Sequence, residues 1–357
     1  MRLADQRQGQ CRGTLGDQSQ HPALADAEAR YRASDRAERR RDNARTGDAQ
    51  GIAAISGTDP MMDIAVPACV WLLMLAVGLD LESADLRRVL RYPKTVALAT
   101  LGQLLALPVC AAVLIWTLDP GPITVAGIVL LAASPGGALS NIYSYLSRAN
   151  LALSVTLTAV STLLALVAMP VLTAAGFALF LHGQASIPLP VGRMVAQLVL
   201  MLLLPLTLGM ALRRWRPDAV RQADRWLRRL SLLAVGIILG AILYARRSEL
   251  ADGLPETAAA ALGFILLAMG AGWSLGWLAG LDGRDRFTLL LEFAVRNVGL
   301  VALIGVSVLG RPELVLFAAV FLLLELPIAL GLCWIYARRL SRESNVPLLP
   351  GENGPVA

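Results

Sequence analysis

Residues 134–141 read Ser-Pro-Gly-Gly-Ala-Leu-Ser-Asn, and this polar stretch interrupts a segment that is otherwise almost purely apolar. It follows the apolar run 123–133 and precedes, after a short polar patch, another long apolar run. Proline and paired glycines form helices poorly, and serine and asparagine side chains are costly in hydrocarbon. The stretch therefore predicts a helix that is broken in the middle of a membrane span.

The composition of the whole chain places these apolar runs in a membrane. Of the 357 residues, 56% are hydrophobic, and the mean hydropathy is +0.60. The runs do not alternate as the strands of a membrane barrel would, so we predict an all-α membrane protein with about nine transmembrane helices. The predicted spans are 62–80, 94–117, 122–146, 150–181, 188–212, 229–246, 256–280, 286–309 and 312–337.

The basic residues between the spans predict the orientation of the chain. Seventeen of them lie on one side of the predicted bilayer and four on the other. By the positive-inside rule we expect a multi-pass protein of the cell (inner) membrane with its N-terminus outside and its C-terminus cytoplasmic. The seventeen are Arg87, Arg88, Arg91, Lys94, Arg148, Arg213, Arg214, Arg216, Arg221, Arg225, Arg228, Arg229, Arg284, Arg286, Arg338, Arg339 and Arg342, and the four are Arg193, Arg246, Arg247 and Arg311.

Residues 1–60 differ in composition from everything that follows them. They are rich in Arg, Asp, Gln, Ala and Gly and carry no apolar core of a signal peptide, so they predict a polar, disordered extension. Their basic charge conflicts with an outside N-terminus, and Met61-Met62 opens the first span directly, which suggests a later translation start. We place the transmembrane domain at 61–340 and a cytoplasmic tail at 341–357.

The sequence lacks the groupings that an enzyme or a nucleic-acid-binding protein needs. It contains no nucleophile–base set and no metal motif, and its four cysteines have no metal or redox spacing. The net charge of +6 is distributed around the spans. We therefore expect no catalytic residues and no nucleic-acid partner, while the sequence leaves the oligomeric state open.

Three groups of polar residues inside the spans indicate a binding site. The break at Pro135, Gly136 and Gly137 frees backbone groups at mid-membrane and turns the N-terminus of a half-helix toward a cavity, which favours an anion. Ser154, Thr158 and Ser161 follow at i, i+4 and i+7 on one helix face. The structural alternatives are a simple kink for the break and hydroxyl groups that hold helices together for the stripe.

The third group is Glu292, Arg296 and Asn297 in the middle of the eighth span. Glu292 and Arg296 have i, i+4 spacing, so one interpretation is an internal salt bridge that holds the fold. The other interpretation is a hard-cation site, because carboxylate, amide and hydroxyl oxygens are the ligands that such cations prefer. Gln103 and Glu325 are further polar residues in the spans, and for each of them alone a structural role is the favoured interpretation.

The broken third and eighth spans face opposite directions by span count. Transporters with inverted repeats place paired discontinuous helices in this way, crossing near the membrane midplane. We therefore predict an inverted repeat in which the last five spans form one half. The first four spans form the other half, which lacks its leading helix.

The chain resembles the bile acid:sodium symporter family over nearly all of residues 62–337. The resemblance rests on Met74-Leu-Ala-Val-Gly-Leu-Asp80, on residues 134–141, and on Ala149-Asn150 followed by Leu153-Ser154-Val-Thr156-Leu-Thr158. Glu292 with Asn297 completes the pattern. The spacing of the Pro-Gly-Gly block to Ser154 and Thr158 makes the match specific.

The resemblance implies a panel domain at about 61–92 and 188–250, and a core domain at about 93–187 and 251–340. It implies two sodium sites behind the helix crossing and an organic anion bound between core and panel, with no other cofactor. The first sodium site would be formed by Ser140, Asn141, Ser154, Thr158 and Glu292. The second would use Gln103, Glu292, the backbone of Phe293 and Val295, and the side chain at 296, and the substrate would contact Leu139, Ser140, Asn141, Arg296 and Asn297.

The sequence departs from the family pattern at 296, where the family usually has Gln. A guanidinium has no acceptor atom and cannot ligate sodium. Our hypothesis is that Arg296 pairs with Glu292 as a tethered charge in the second cation site, so that transport uses one sodium or none. The alternative is that Arg296 binds the substrate carboxylate. Ala138 also departs from the family, which often has a small polar residue there, and Glu325 is a candidate proton carrier.

The leading prediction is a secondary transporter that couples sodium to the symport of a small organic anion by alternating access. A proton-coupled or uncoupled carrier is the alternative within transport, because of Arg296 and Glu325. A membrane-embedded sensor that binds its ligand without moving it is the alternative from another class. The substrate could be bile acid-like, or a small carboxylate or sulfonate.

Overall fold

The structure is a computed structural model that describes residues 60–80, 93–181, 190–245 and 247–344. Within these ranges the chain is almost entirely helical and contains no β-strand. The α-helices are α1 Pro60–Asp80, α2 Pro93–Leu118, α3 Pro122–Ala133, α4 Leu139–Leu146, α5 Leu151–Phe180, α6 Val191–Leu198, α7 Leu204–Trp215, α8 Pro217–Ala245, α9 Arg247–Leu278, α10 Gly283–Ala294, α11 Val298–Leu303 and α12 Val315–Ser344.

The starts of many helices follow from local sequence. Pro93 and Pro122 each begin a helix, and proline suits the first helical position because its missing N–H has no partner there anyway. Asn150 caps α5 by accepting a hydrogen bond from Leu153 N, and Asp282 caps α10 in the same way. Between α6 and α7 and after α11 the helix widens into π turns, at Val199–Leu203 and Ile304–Val308, and a short 3₁₀ turn at Pro312–Leu314 precedes α12.

Five helices within the described residues are long and apolar enough to cross a membrane. They are Pro93–Leu118, Leu151–Phe180, Val191–Trp215, Gly253–Leu278 and Pro312–Arg342. Shorter apolar helices lie at Ile64–Leu79, Pro122–Ala133 and Val298–Val308. Large apolar side chains on these helices, such as Leu105, Val167 and Ile335, are more than half exposed, which suits a surface that faces lipid. This supports an all-α membrane protein, while the count of nine crossings and the inverted repeat stay predictions.

The third and eighth predicted spans are both discontinuous. The first break lies between α3 and α4, and the second lies between α10 and α11. Ser134 ends α3 in an extended conformation, and Val295 ends α10 in the same way. The prediction of a broken helix at 134–141 is therefore confirmed, and a simple kink in a continuous helix does not describe it.

Two sets of helix contacts are the most extensive, and contacts of α5 with α6, α8 with α12 and α1 with α11 join them. Helix α1 packs against α7 and α8, whereas α9 packs against α10, α2 and α12. Helix α5 lies against α2, α3, α4 and α10, so it is central to the second group. The backbones of α1 and α7 approach closely, since a Cβ atom added at Gly209 would lie 2.5 Å from the backbone oxygen of Leu75.

Several predictions fall on residues that lie outside the described ranges. These are the extension before residue 60, the basic segment 81–92, and the tail beyond residue 344. The side chain of Asp80, in the motif at 74–80, also lies outside what the structure describes.

Candidate functional site

The two helix breaks cross each other and are joined by backbone hydrogen bonds. Gly136 and Arg296 form an isolated antiparallel β-bridge. Gly137 N donates to Val295 O at 3.1 Å, and Asn297 N donates to Pro135 O at 3.0 Å. Broken helices within a membrane leave backbone groups without partners, and here each break supplies partners to the other.

Both glycines of the break are required by this close approach. A Cβ atom at Gly136 would lie 2.9 Å from Glu292 Oε2, and a Cβ atom at Gly137 would lie 2.8 Å from the backbone oxygen of Arg296. Distances below 3.0 Å to a Cβ atom are almost never observed. The Pro-Gly-Gly stretch therefore ends α3 and also leaves room for the second break to pack against it.

Glu292 lies next to the crossing, at the last turns of α10, and is fully buried. Three hydroxyl groups donate hydrogen bonds to its Oε1 atom: Ser140 Oγ at 2.6 Å, Ser154 Oγ at 2.5 Å and Thr158 Oγ1 at 3.1 Å. These residues come from α4 and α5, so the carboxylate joins three helical segments of different origin in the sequence.

The amide of Asn141 adds a further oxygen to this cluster. Its Oδ1 atom lies 2.9 Å from Ser154 Oγ and 3.4 Å from Thr158 Oγ1. The structure thus brings together all five residues that the resemblance implies for the first sodium site. Carboxylate, amide and hydroxyl oxygens fit a hard cation.

The remaining hydroxyl of the stripe on α5 supports the break itself. Ser161 Oγ accepts a hydrogen bond from Gly136 N at 3.3 Å and donates to Thr158 O at 3.1 Å. The polar stripe on α5 therefore faces the crossing over its whole length, and its first two residues, Ser154 and Thr158, are hydrogen-bonded to Glu292.

The second sodium site that the resemblance implies shares Glu292 with the first and adds residues from α2 and from the second break. Gln103 Nε2 donates to the backbone oxygen of Glu292 at 3.4 Å. Phe293 is fully buried, and the backbone oxygen of Val295 already accepts from Gly137 N. The side chain of Arg296 lines a cavity together with Gln103 and Thr100.

The proposed pairing of Arg296 with Glu292 is not present as a direct ion pair. Among the described residues, the Nε and Nη1 atoms of Arg296 have no hydrogen-bond partner, and no ion pair within 4.0 Å joins them to Glu292. The physical reason is that α10 ends at Ala294, so Arg296 is no longer on the helix that carries Glu292. The i, i+4 spacing in the sequence therefore does not place the two side chains on one helix face.

The residues assigned by resemblance to the substrate are divided between different surroundings. Ser140 is fully buried in the Glu292 cluster, and Leu139 packs against the apolar group around Tyr143. Asn297 caps α11 by accepting from Leu300 N at 3.1 Å. Arg296 faces the cavity described above, beside α2 and α5.

The sequence did not single out Thr100, and it gave no partner for Glu325. Thr100 lines the same cavity as Arg296, and its position three residues before Gln103 on α2 was a signal that could have identified it. Glu325 is 1% exposed, and its carboxyl group lies beside the buried Tyr143 hydroxyl without a hydrogen bond of regular geometry among the described residues.

Comparisons with known proteins give a family and several named relatives. The family model of the sodium bile acid symporter family matches residues 67–252. The chain is 28% identical over 294 residues to the hepatic sodium/bile acid cotransporter of Homo sapiens, which covers 79% of this chain and 82% of the relative. It is 27% identical over 241 residues to the "uncharacterized sodium-dependent transporter YocS" of Bacillus subtilis (strain 168), covering 66% of this chain and 72% of the relative.

A plant protein matches a shorter part of the chain. The chloroplastic protein of Oryza sativa subsp. japonica named "probable sodium/metabolite cotransporter BASS2" is 34% identical over 145 residues, which cover 41% of this chain and 33% of the relative. The names of these relatives describe membrane transporters and not enzymes. With a family model that matches more than half of its residues, this multi-pass membrane protein belongs to the sodium bile acid symporter family.

Proposed function

We propose that this protein is a secondary transporter that couples sodium to the symport of a small organic anion. The observation that carries the proposal is the buried Glu292 carboxylate, which three hydroxyl groups surround at the crossing of two broken helices. The relatives named as sodium-dependent transporters and cotransporters support sodium as the coupling ion.

The first sodium site is assigned to Ser140, Asn141, Ser154, Thr158 and Glu292. A sodium ion there would receive one formal negative charge and up to four neutral oxygens. The hydroxyl groups now donate to Glu292, and each can rotate to present a lone pair to a cation instead. Burial of the carboxylate makes an uncompensated negative charge costly, which favours a bound cation.

The second cation position is assigned to Arg296 as a fixed positive charge. Its guanidinium lines the cavity beside Gln103, where the resemblance implies a second sodium, and it has no acceptor atom with which to bind one. We therefore assign this protein a stoichiometry of one sodium ion per cycle.

The substrate is assigned to the face of the crossing that meets α1. Helix α4 begins at the crossing with Leu139, Ser140 and Asn141, and the N-terminus of a helix favours an anionic group. Asn297 lies near the same face, since a Cβ atom at Gly299 would be 3.4 Å from Leu73 on α1. The relatives' names describe bile acid and metabolite transport, which supports an organic anion. The alternative in which Arg296 binds the substrate carboxylate is less favoured, because its side chain faces α2 and α5.

The two packing groups support a division into panel and core. Helices α1, α6, α7 and α8 would form the panel, at about 61–92 and 188–250, and the remaining helices would form the core, at about 93–187 and 251–340. Substrate bound between the groups would be exposed to alternate sides as the core moves against the panel. We place the C-terminus in the cytoplasm and the N-terminus outside the cell membrane, from the distribution of basic residues.

A proton-coupled carrier is the second candidate function, and Glu325 is the observation that favours it. A carboxyl group that is 1% exposed and lies beside the Tyr143 hydroxyl, with no ion pair within the described residues, is a candidate to bind and release a proton during transport.

The test of the sodium site compares thermal unfolding of the purified protein in sodium chloride and in choline chloride. A ligand that binds only the folded state raises its stability by RT ln(1 + [L]/Kd). We expect a sodium-specific rise in the melting midpoint that is absent in Glu292→Gln. We expect Thr158→Val to weaken sodium binding at least tenfold.

The matched control for that experiment is Thr156→Val. Thr156 lies on the same helix and is equally buried, but its hydroxyl donates to Ala152 O of its own helix and does not reach Glu292. Equal sodium responses in the two threonine variants, or equal midpoints in sodium and choline, would overturn the sodium site. Uptake of radiolabelled organic anions into sodium-free vesicles, with sodium or choline in the external medium, then separates a carrier from a sensor, because only a carrier accumulates its ligand.

A further inference from the structure

The cavity beside Arg296 has a wall of small apolar side chains and a few polar ones. It lies between α2, the end of α3 and α5, and its volume of about 20 Å³ is room for one particle of the size of a water molecule. The apolar wall includes Ala132, Ala133 and Ala165. The polar residues that line it are Thr100, Gln103, Ser134, Ser161 and Arg296.

The polar atoms that lack partners in this cavity are hydrogen-bond donors. Arg296 is 6% exposed, and its Nε and Nη1 atoms have no partner among the described residues. Thr100 is also 6% exposed, and its hydroxyl lacks a partner in the same part of the chain. A guanidinium only donates and a hydroxyl group can donate, so the ligand that completes this set is an acceptor.

The other polar residues of the cavity are already engaged. Ser134 Oγ donates to Leu131 O at 2.7 Å, and Ser161 Oγ bonds Thr158 O and Gly136 N. The amide nitrogen of Gln103 donates to the backbone of Glu292. Among the donors of the cavity, those without a partner are therefore the Nε and Nη1 atoms of Arg296 and the Thr100 hydroxyl.

The nearest carboxylate does not neutralise this charge by contact. The Oε1 atom of Glu292 accepts from Ser140, Ser154 and Thr158, and no ion pair within 4.0 Å joins Glu292 to Arg296 among the described residues. A buried charge without a contacting partner is costly, and a small counterion in the cavity would remove that cost.

We propose that Arg296 and Thr100 bind a chloride-sized monovalent anion in this cavity. The guanidinium supplies the charge and two directed donors, and the threonine hydroxyl supplies a third donor. The small volume and the alanine wall favour a halide over a carboxylate with a carbon chain.

The anion site leads to a coupling with sodium, and this consequence rests on the proposed function. Without sodium, the charges of Glu292 and Arg296 offset each other across the crossing. Sodium bound at Glu292 cancels the negative charge and leaves Arg296 with a net attraction for an anion. Binding of sodium and of chloride should therefore strengthen each other, and by linkage the effect must be the same in both directions.

The experiment measures the melting midpoint of the full chain in four salts at equal ionic strength: sodium chloride, sodium gluconate, choline chloride and choline gluconate. Gluconate is too large for the cavity, and no organic substrate is present, so a response to chloride identifies the inorganic anion. We expect the midpoint to rise with chloride concentration until it saturates, and we expect a larger rise in sodium than in choline. Bromide should replace chloride.

Three variants locate the response. Arg296→Gln should abolish the difference between chloride and gluconate, and Thr100→Val, which keeps the charge and nearly the same shape, should weaken chloride binding several-fold. The control is Arg247→Gln, since Arg247 is exposed and its guanidinium contacts only the ring and backbone of Tyr244 in the described structure. Its chloride response should equal that of the unmodified protein.

The outcomes distinguish the two proposals. Equal midpoints in chloride and gluconate with either cation, or a chloride response that persists in both Arg296→Gln and Thr100→Val, overturn the anion site. A chloride response without any sodium response leaves the anion site standing and overturns the sodium site. If Arg296→Gln fails to fold, the Thr100→Val variant alone decides the location.

Discussion

The substitution Gly137→Ala tests the crossing of the two breaks most directly. The φ angle of Gly137 is not in the left-handed region, so alanine suits its backbone conformation, and only the lack of space opposes it. The new Cβ atom would lie 2.8 Å from the backbone oxygen of Arg296 and 3.1 Å from its carbonyl carbon. These are backbone atoms, so no side chain can rotate to relieve the contact.

The expected cost combines strain with a lost hydrogen bond. Inserting a methyl group into a tightly packed site typically costs about 1–3 kcal/mol. Separation of the two breaks would also weaken the bond from Gly137 N to Val295 O, and such a bond contributes about 0.5–1.5 kcal/mol. We therefore expect Gly137→Ala to lower the free energy of unfolding by about 2–4 kcal/mol.

The assay is reversible unfolding in mixed micelles, with the sodium-induced shift in melting midpoint as a second readout. The matched control is Gly270→Ala on α9, where an added Cβ atom would meet nothing within 4 Å. Alanine there should stabilise the helix by about 0.5–1 kcal/mol. Equal stabilities of Gly137→Ala and the unmodified protein would refute the close approach of the two breaks.

Two further predictions concern polar residues away from the crossing. Glu325→Gln should leave the melting midpoint unchanged, because a buried carboxyl group with no ion pair is least costly when uncharged and glutamine keeps both the shape and an acceptor for the Tyr143 hydroxyl. A fall of more than about 1 kcal/mol in unfolding free energy would show that the charge of Glu325 is needed. Asn150→Ala should lower the free energy of unfolding by about 1–2 kcal/mol, since it removes the cap of α5 and the 2.8 Å hydrogen bond to Asp285 at the start of α10. Urea unfolding measures this loss, and an unchanged unfolding midpoint would contradict the prediction.

The break at 134–141 and the cluster around Glu292 could be predicted because each has a signal in the sequence. Proline and glycine interrupt a helix wherever they occur, and their effect is local. The stripe of Ser154, Thr158 and Ser161 repeats with the period of a helix, so its common face was evident before the structure. The meeting of that face with Glu292 followed from the resemblance to the family and not from spacing.

The position of Arg296 could not be predicted from the sequence. Its i, i+4 spacing from Glu292 places the two side chains on one face only if the helix is continuous. The helix ends at Ala294, and the backbone turns into the extended bridge with Gly136. That bridge depends on a contact between segments about 160 residues apart in the chain, for which a single sequence has no local pattern. The same limit applies to the bond between Asn150 and Asp285, which joins the starts of α5 and α10.

The bond between Ser154 and Glu292 spans 138 residues of sequence, which sets an order of events during synthesis. Ribosomes add about 5–20 residues per second, so Ser154 waits roughly 7–30 s before Glu292 is made. During that time the hydroxyl groups of α4 and α5 can bond only to their own backbone or to neighbouring segments already inserted. A nascent chain that ends before residue 292 therefore has the first break but neither its bridge nor its carboxylate, and the ion site is among the last parts of the protein to be completed.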